Sequence, residues 1–378
     1  MKTPFLLAVI AAFFAFPVLA QSVAPVETAA KQAFLIDANT GTILLAKDAD
    51  AQMPTSSMSK MMTIYCVFDA IKHGKLKMDD TLPVSERAWK QEGSRMFVNV
   101  GERVKVEDLI RGVVVQSGND AAVVLAEGLG SGSEGTFADM MNTKAQELGM
   151  TNSHFTNATG LPDPQHYSSA RDLATIAVSL IRDYPEHYHY FSETEFTYNK
   201  IKQGNRNPLL YRNMNVDGLK TGHAEQAGYG LTASAVHDGR RLVLVLNAMK
   251  DMQARADESA HVLDWGFREF GYYPVVKAND KVADAKVWLG QAQTVPVVAG
   301  ENAAFTLPRS ARASLNTEVN FTEPVPAPIT KGQVLGKLTI SAPGMEPKQV
   351  PLIAGADVPQ LGFFERLVVK IQKFFNKA

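Results

Sequence analysis

The spacing of apolar and polar residues predicts a hairpin, then helices, then strands in the first part of the chain. Two short apolar runs between residues 32 and 46 flank the turn Asn39-Thr40-Gly41, which is typical of a β-hairpin. Apolar residues at helical spacing predict a helix after Pro54, with Thr55 or Ser56 as its N-cap. Further helices are predicted over residues 106–114, 120–127, 137–148 and 169–182, and strands over 229–236 and 241–249. This order favours a mixed sheet covered by helices.

The pattern changes after Trp265-Gly266-Phe267, where the helical periodicity fades. Short β-type runs, separated by Gly, Pro and Asn residues, predict a small all-β sandwich domain over residues 274–356. Residues 28–271 then form a first, α/β domain.

Residues 358–378 return to helical spacing and predict a C-terminal amphipathic helix. Its apolar positions fall on one face: Phe364, Leu367, Val368, Ile371, Phe374 and Phe375. The other face carries Glu365, Arg366, Lys370, Lys373 and Lys377, with a net charge of +3. Because the segment is too short and too charged to span a bilayer, we expect it to lie in the membrane interface as a peripheral anchor. The alternative is a terminal helix packed on its own β domain.

The N-terminus has the order of a secretory signal: Lys2, an apolar run over residues 5–16, and Val18-Leu19-Ala20 as a processing site. We therefore expect residues 1–20 to be a cleaved signal peptide, and the protein to be exported. The alternative, a transmembrane anchor, needs roughly 20 apolar residues. Cys66 is the only cysteine, so no intramolecular disulfide is possible, and its apolar helical surroundings predict an inert core residue.

Composition narrows the range of partners. The chain has 378 residues, 46% of them hydrophobic, and a formal net charge of −1 without a dense Lys/Arg block. Nothing here favours a nucleic-acid surface, and a small-molecule or peptide partner fits better. His187 and His189 form an H-x-H pair, but no H-E-x-x-H motif or carboxylate partner lies nearby at metal-ligand spacing, so we expect neither a metal nor a cofactor.

Three short motifs carry the chemistry. Ser57-Met58-Ser59-Lys60 fits S-x-x-K, Ser117-Gly118-Asn119 fits S-x-N, and Lys220-Thr221-Gly222 fits K-T-G. The first is expected by chance about once in a chain of this length, and the third in roughly one such chain in ten. Ser314-Leu315-Asn316 also fits S-x-N, and we interpret it as a surface loop without a role. Each motif alone is therefore weak.

The first motif pairs a nucleophile with a base. At helical i, i+3 spacing the Ser57 hydroxyl and the Lys60 amine lie on one face, and an amine of lowered pKa can take the hydroxyl proton. In the third motif, a glycine lets a ligand approach a strand closely, while Lys220 and Thr221 can bind a carboxylate.

The ordered set of three motifs resembles the penicillin-binding proteins and β-lactamases, and its Ser-Gly-Asn member resembles the low-molecular-mass D-alanyl-D-alanine carboxypeptidases. The stretches that carry the resemblance span residues 54–63, 116–122, 167–174 and 216–223. The resemblance extends over nearly the whole chain beyond residue 20, including the β domain and the tail. It implies a penicillin-binding, β-lactamase-like α/β domain that releases the terminal D-alanine of peptidoglycan pentapeptides and is acylated by β-lactam antibiotics.

The resemblance also implies the role of each site residue. It implies that Ser57 is the acylated nucleophile, Lys60 its general base and Ser117 a proton relay. Asn119 is the hydrogen-bond partner of the acyl-side amide, and Lys220 and Thr221 hold the terminal carboxylate, with Gly222 on the same strand. The backbone N–H groups of Ser57 and His223 form the oxyanion hole. Ala224 departs from the threonine that relatives often have, which puts the fine substrate preference in doubt. The resemblance also implies that Arg206 is a further partner of the substrate carboxylate. The alternative is that Arg206 is an exposed loop arginine without a role.

Two other functions share some of these features. A β-lactamase uses the same acylation machinery, but no Glu-x-x-Leu-Asn run, which would direct a deacylating water, occurs between the second and third motifs. A non-catalytic cell-wall scaffold would have no use for the three motifs together. The resemblance, the signal peptide and the tail place the enzyme in the periplasm, on the outer face of the inner membrane.

Overall fold

The computed structural model describes residues 24–343 and 346–375. The predicted signal peptide therefore lies outside the described residues. The chain forms two compact units, one made of residues 25–273 with 304–306 and the other of the remaining residues from 274 onward.

The first unit contains nine strands and seven α-helices among its described residues. In chain order they are β1 (Gln32–Asp37), β2 (Ile43–Lys47), α1 (Lys60–Lys72), β3 (Thr81–Pro83), α2 (Glu86–Trp89), β4 (Arg103–Lys105), α3 (Val106–Val114), α4 (Asn119–Leu129), α5 (Glu134–Glu147), α6 (Ala170–Asp183), β5 (Glu195–Tyr198), β6 (Ile201–Gly204), β7 (Val216–Ala224), β8 (Gly228–His237), β9 (Arg240–Met249) and α7 (Met252–Glu269). Short 3₁₀ turns lie at Ser56–Ser59, Tyr188–Ser192 and Pro208–Tyr211. The predicted hairpin, the four central helices and the two late strands are confirmed to within a few residues.

Five strands form the main sheet, in the order β2-β1-β9-β8-β7. All four neighbouring pairs in it are antiparallel. The α/β class is confirmed, but the sheet that we expected to be mixed contains antiparallel pairs alone. Tight connections explain this, because the few residues between β7 and β8, and between β8 and β9, allow only a strand that reverses direction. Strand β7 is left at an edge, with one side free of strand partners.

Helices cover both faces of this sheet. Successive residues of β9 point to opposite faces, and its central residues are buried throughout. Val243 and Val245 belong to the large core that includes α1, α3, α4, α5 and α6. Leu242 lies on the other face, close to Gly266 of α7. The sheet is thus enclosed between α7 and the helical cluster, which fixes the position of the edge strand β7.

Helix α7 is not among the elements that the hydrophobic pattern predicts. Its buried positions begin with Arg255, Ala256 and Ser259, and only later include Val262 and Leu263. Small and polar residues in the first half therefore hide the apolar stripe on which the sequence prediction depends. A start signal does exist, because the Asp251 side chain accepts a hydrogen bond from Ala254 N.

The second unit is built of β-strands followed by one helix. Its strands, with β10 and β13 reaching its boundary, are β10 (Phe270–Val276), β11 (Lys281–Trp288), β12 (Thr294–Ala299), β13 (Ala303–Pro308), β14 (Asn316–Phe321), β15 (Val325–Pro326), β16 (Val334–Ser341) and β17 (Lys348–Ala354), and the helix is α8 (Phe363–Phe375). Six strands form a sheet in the order β14-β16-β17-β12-β11-β15. Alternate residues such as Val295 and Val297, or Val350 and Leu352, are buried. The predicted separate β domain and C-terminal helix are confirmed.

A buried carboxylate holds the segment that precedes α3 against the start of α4. Asp120 is fully buried, and its side chain accepts hydrogen bonds from the backbone N–H groups of Met96, Phe97 and Val98. Its Oδ1 lies 2.9 Å from Ala121 N as well. Because one carboxylate satisfies several backbone donors, the irregular segment 93–98 needs no strand partner to be ordered.

This arrangement predicts the effect of Asp120→Ala. Buried N–H groups left without acceptors destabilise by about 1–3 kcal/mol each, so the substitution is expected to lower the thermal midpoint and to speed amide hydrogen exchange at residues 96–98. Asp139→Ala, which removes an exposed carboxylate, is the control and is expected to change neither. Unchanged exchange at residues 96–98 in Asp120→Ala would contradict this account.

Candidate active site

The S-x-x-K motif begins in a 3₁₀ turn and continues into α1. The turn spans Ser56–Ser59, and Lys60 is the first residue of the α-helix. With three residues per turn, positions i and i+3 lie directly above one another, which brings Lys60 under Ser57. Thr55 is the N-cap residue, as one of the two predicted alternatives, but its hydroxyl hydrogen-bonds to Ser59 Oγ and makes no hydrogen bond to a backbone N–H of the turn. Ser56 has a φ of +49°, a strained conformation that clusters at functional turns.

Lys60 is completely buried and has three close polar neighbours. Its Nζ lies 2.8 Å from Ser57 Oγ, 2.7 Å from Asn119 Oδ1 and 2.6 Å from the carbonyl oxygen of Thr159. Burial lowers the pKa of Lys60 to about 7, and the positive charge of Arg206 acts in the same direction. The two carbonyl oxygens can only accept, so they take both N–H groups of a neutral amine. Its lone pair is then left for the Ser57 hydroxyl, which is the geometry of a general base.

The S-x-N motif forms the turn between α3 and α4. Ser117 has a φ of +63° and lines the cleft. Asn119 is buried behind it, where its Nδ2 donates to Glu92 O over 2.6 Å and its Oδ1 accepts from Lys60. The structure therefore gives Asn119 a contact that the motif alone does not reveal, with the amine of Lys60.

The K-T-G motif lies on the edge strand β7. Lys220 is 2% exposed, and its Nζ donates to Ser117 Oγ over 2.9 Å instead of lining the cleft. Its burial, with Lys60, Arg206 and other cations nearby, lowers the pKa of Lys220 well below the ordinary value. Thr221 and its two successors do line the cleft. Of the two residues predicted to hold a carboxylate, the structure brings Thr221 to the cleft wall and keeps Lys220 one layer behind.

Gly222 is required by close packing between β7 and the 3₁₀ turn Ser56–Ser59, the nucleophile turn, which carries the predicted nucleophile Ser57. A Cβ at this position would lie 2.6 Å from Thr55 O and 3.2 Å from Met58 Cγ. Any side chain here would push the strand away from Ser57. The exposed His223 follows on the strand, with its ring stacked on Tyr229 at 4.0 Å between centroids. A free strand edge beside the nucleophile supplies backbone N–H groups that a developing oxyanion needs.

These elements enclose a cleft of about 610 Å³. Its wall is formed by Ser57, Gly93, Ser94, Ser117, Arg206, Thr221, Gly222, His223, Tyr229, Met252 and Arg255. Four basic side chains meet here, two arginines at the wall and two buried lysines, and within the described residues none of them forms an ion pair with a carboxylate. The cleft is therefore electropositive and suited to an anionic ligand.

Two arginines complete the site. Arg206 is exposed, which agrees with the alternative of an exposed loop arginine. It also lines the cleft, however, and donates to Ser94 Oγ over 2.6 Å. Arg255 was not predicted, because it lies on α7. Its guanidinium is largely buried beside the Tyr229 ring, and its Nε has no hydrogen-bond partner among the described residues. The Asp251 cap is the sequence signal that could have revealed this helix.

The remaining candidates lie outside the cleft. Cys66 is buried in α1, and burial raises the pKa of its thiol to about 12, which agrees with an inert core residue. His187 stacks near Phe68, and no metal-binding group of three or more His, Cys, Asp or Glu residues occurs in the part of the chain that the structure describes. Ser314 and Asn316 belong to the second unit. Ala224 ends strand β7.

Comparison with known proteins agrees with this geometry. A family profile described as D-alanyl-D-alanine carboxypeptidase, peptidase S11, matches residues 19–250, and the C-terminal domain of penicillin-binding protein 5 matches residues 270–360. The chain is 39% identical to D-alanyl-D-alanine carboxypeptidase DacA of Haemophilus influenzae, over 91% of this chain and 89% of the relative. It is also 39% identical to DacC of Escherichia coli, over 94% and 92%.

A solved structure gives the same result. Penicillin-binding protein 5 from Haemophilus influenzae superposes with a TM-score of 0.81 at 39% identity, covering 90% of this chain and 100% of that one. Both the fold and the sequence are thus shared over most of the length. The chain belongs to the D-alanyl-D-alanine carboxypeptidase family of serine peptidases.

Proposed function

We propose that Ser57 and Lys60 carry out the D-alanyl-D-alanine carboxypeptidase reaction of this enzyme on peptidoglycan stem peptides. One observation carries the proposal: the buried Lys60 Nζ lies within 2.8 Å of Ser57 Oγ and of two carbonyl oxygens, from Asn119 and Thr159, that can only accept hydrogen bonds. In a neutral amine these two oxygens take both N–H groups, so the lone pair is left for the Ser57 hydroxyl. A lysine held in this way is a base at neutral pH. Family membership names the reaction, and this geometry supports the roles.

In the acylation step, Lys60 takes the Ser57 proton while Oγ forms a bond to the carbonyl carbon of the penultimate D-alanine. The amide C–N bond breaks, and the leaving D-alanine amine needs a proton. Ser117 lies at the cleft wall and hydrogen-bonds to Lys220, so its hydroxyl can donate a proton to the amine and be reprotonated at the expense of the proton that Lys60 took up. Lys60 is then neutral again. It takes a proton from the water that attacks the ester and returns it to Ser57 Oγ as the ester C–O bond breaks.

Substrate recognition relies on charge. The terminal carboxylate fits beside the Thr221 hydroxyl and the guanidinium groups of Arg206 and Arg255, all at the cleft wall. Lys220 then holds Ser117 in place through its hydrogen bond and adds to the positive potential of the cleft from the layer behind the wall. The backbone N–H groups of Ser57 and His223 serve the oxyanion, as the resemblance implies.

Two alternatives fit the site less well. No Asp or Glu occurs among the described residues that line the cleft, so the glutamate-directed water of a class A β-lactamase has no counterpart there. A non-catalytic scaffold would have no need for a desolvated lysine, which is costly to bury.

Penicillin is expected to label Ser57 alone. Intact-mass and peptide analysis should show one drug adduct, and Ser57→Ala should abolish it and lower the release of D-alanine by at least about 10³-fold. Ser56→Ala removes the neighbouring buried hydroxyl and should keep the adduct. An adduct that persists in Ser57→Ala would refute the assignment of the nucleophile.

The acylation rate constant should rise with pH and level off above about pH 7, because Lys60 is a base only when neutral. Arg206→Gln removes a positive charge that lowers the pKa of Lys60, so the midpoint of this rise should move upward by about half a pH unit. Arg212→Gln, whose guanidinium pairs with Asp257, is the matched control. A midpoint that stays in place or moves downward in Arg206→Gln would contradict Lys60 as the base.

We also infer that the enzyme is exported to the periplasm and that α8 attaches it to a membrane surface. Support for export is the signal-like N-terminus. None of the described helices is both long and apolar enough to cross a bilayer. Helix α8 leaves Phe364, Leu367, Val368 and Ile371 between 48% and 79% exposed, which disfavours the alternative of a helix packed on its own domain. Its lysines and arginine would contact anionic headgroups.

Shortening the chain to end at Gly362 tests the anchor. Gln360 and Leu361 still bond to the sheet through Ala327 and Leu289, so the cut leaves the β unit intact. The shortened enzyme should react with penicillin normally but no longer sediment with anionic vesicles at low salt. Leu367→Glu with Ile371→Glu, in the full-length enzyme, should have the same effect by disrupting only the apolar face. Sedimentation that is unchanged in both variants would rule out the anchor.

A further inference from the structure

A buried histidine lies directly behind the nucleophile turn. His166 is 5% exposed and packs edge-on against the Phe155 ring, with centroids 5.6 Å apart. Its Nε2 lies 2.7 Å from Ser59 Oγ, and its Nδ1 lies 3.2 Å from the backbone nitrogen of Thr156. No step of the reaction described above uses this side chain.

The partners of the ring determine its tautomer. The backbone N–H of Thr156 can only donate, so Nδ1 of His166 is the acceptor and carries no proton. Nε2 therefore carries the proton and donates to Ser59 Oγ, whose own hydroxyl is free to donate to Thr55 Oγ1. Burial lowers the pKa of His166 to about 4, so the ring is neutral over the working pH range.

The two ring nitrogens of His166 contact two different segments, and each of these segments carries a group that contacts Lys60. Ser59 belongs to the 3₁₀ turn that carries Ser57, and it directly precedes Lys60. Thr156 begins the turn 156–160, in which the Thr159 carbonyl accepts from Lys60 Nζ. The ring is thus the bridge between the turn that presents the nucleophile and the turn that orients the base.

Hydrogen bonds to one side chain connect the residues of the 156–160 turn. Asn157 Oδ1 accepts from Thr159 N, Thr159 Oγ1 and Gly160 N, which makes the turn rigid. A Cβ at Gly160 would lie 1.9 Å from Ser56 O, so this turn packs directly on the nucleophile turn. A displacement at Thr156 is therefore passed on to the Thr159 carbonyl.

We propose that His166 is a positioning residue, a neutral strut that fixes the Thr159 carbonyl relative to the Ser57 turn and so keeps the lone pair of Lys60 directed at Ser57. The inference rests on the proposed roles of Ser57 and Lys60. Without the strut, the Thr159 carbonyl is free to withdraw and water can reach Lys60 Nζ. Both changes weaken the base, because the amine loses its orientation and its desolvation.

The surroundings require the ring to be neutral. The charged and titratable groups that act on it are Asp163 and His154 from the same loop and Lys60 from α1. A second ring proton would point from Nδ1 at the Thr156 N–H, donor against donor, and would add positive charge near Lys60. A protonated His166 therefore cannot serve as the strut.

The test is the pH dependence of penicillin acylation, measured in the full-length enzyme. In His166→Ala the plateau rate constant should fall by about 10–100-fold, and the midpoint of its rise with pH should move up by about one unit. The dissociation constant of the non-covalent complex should change by less than about twofold, because the cleft wall is untouched. Thermal unfolding confirms that the variant is folded.

Three further variants separate positioning from general destabilisation. His166→Gln has a carboxamide that can still donate to Ser59, and it should recover most of the rate and the original midpoint. Ser59→Ala removes the hydrogen bond between Ser59 and His166 from the other side and should shift the midpoint in the same direction. If His166→Ala does not fold, this variant tests the role of His166. His154→Ala removes a bond to Gln165 O in the same loop without touching the nucleophile turn, and it should change neither quantity.

The outcomes divide clearly. A wild-type enzyme that forms no adduct at Ser57 would refute the proposed function itself. A wild-type enzyme that acylates normally, while His166→Ala and Ser59→Ala keep both the plateau and the midpoint, would overturn the role of His166 alone. Equal losses in His154→Ala and His166→Ala would also overturn it, because the effect would then be loss of loop stability.

Discussion

The structure of the site depends on removing one amine from water. Lys60 is completely buried, and the free energy of desolvating an ammonium group is what brings its pKa down to about 7. Burial alone would produce an inert neutral lysine. Two carbonyl oxygens, from Asn119 and Thr159, fix both N–H groups and leave the lone pair to Ser57. The fold therefore has to supply burial and two acceptors at the same point.

Separate parts of the chain meet this requirement. The 3₁₀ turn before α1 places Ser57 above Lys60, the start of α4 brings the Asn119 oxygen, and the turn 156–160 brings a backbone oxygen. The close contact of Gly222 with the nucleophile turn then seats the edge strand β7 beside Ser57. Because α7 and the helical cluster hold the sheet from both faces, these contacts remain fixed when the cleft is empty.

The residues whose side chains define the motifs could be proposed from the sequence. Ser57, Lys60 and Ser117 could be predicted because their spacing and order repeat a known pattern, and the structure brings them together with Thr221. The Thr159 carbonyl could not be predicted, since every residue has one and no sequence marks which will face a lysine. Arg255 could not be predicted because the buried face of its helix begins with small and polar residues, so the hydrophobic pattern did not indicate a helix there. The bond of Lys220 to Ser117 depends on a side-chain direction that a motif does not encode.

The cations of the cleft link recognition to reactivity. Arg206 and Lys220 lie near Lys60 without carboxylate partners among the described residues, and the positive charge of Arg206 helps to keep the Lys60 amine neutral when the cleft is empty. A substrate carboxylate bound among them offsets part of that positive charge, and by the same Coulomb argument it raises the proton affinity of Lys60. In the proposed mechanism, Lys60 thus becomes a stronger base when the peptide bond to be broken is in place. When D-alanine leaves with its carboxylate, the proton affinity of Lys60 falls again, which in that mechanism favours release of the proton and restores a neutral amine before water attacks.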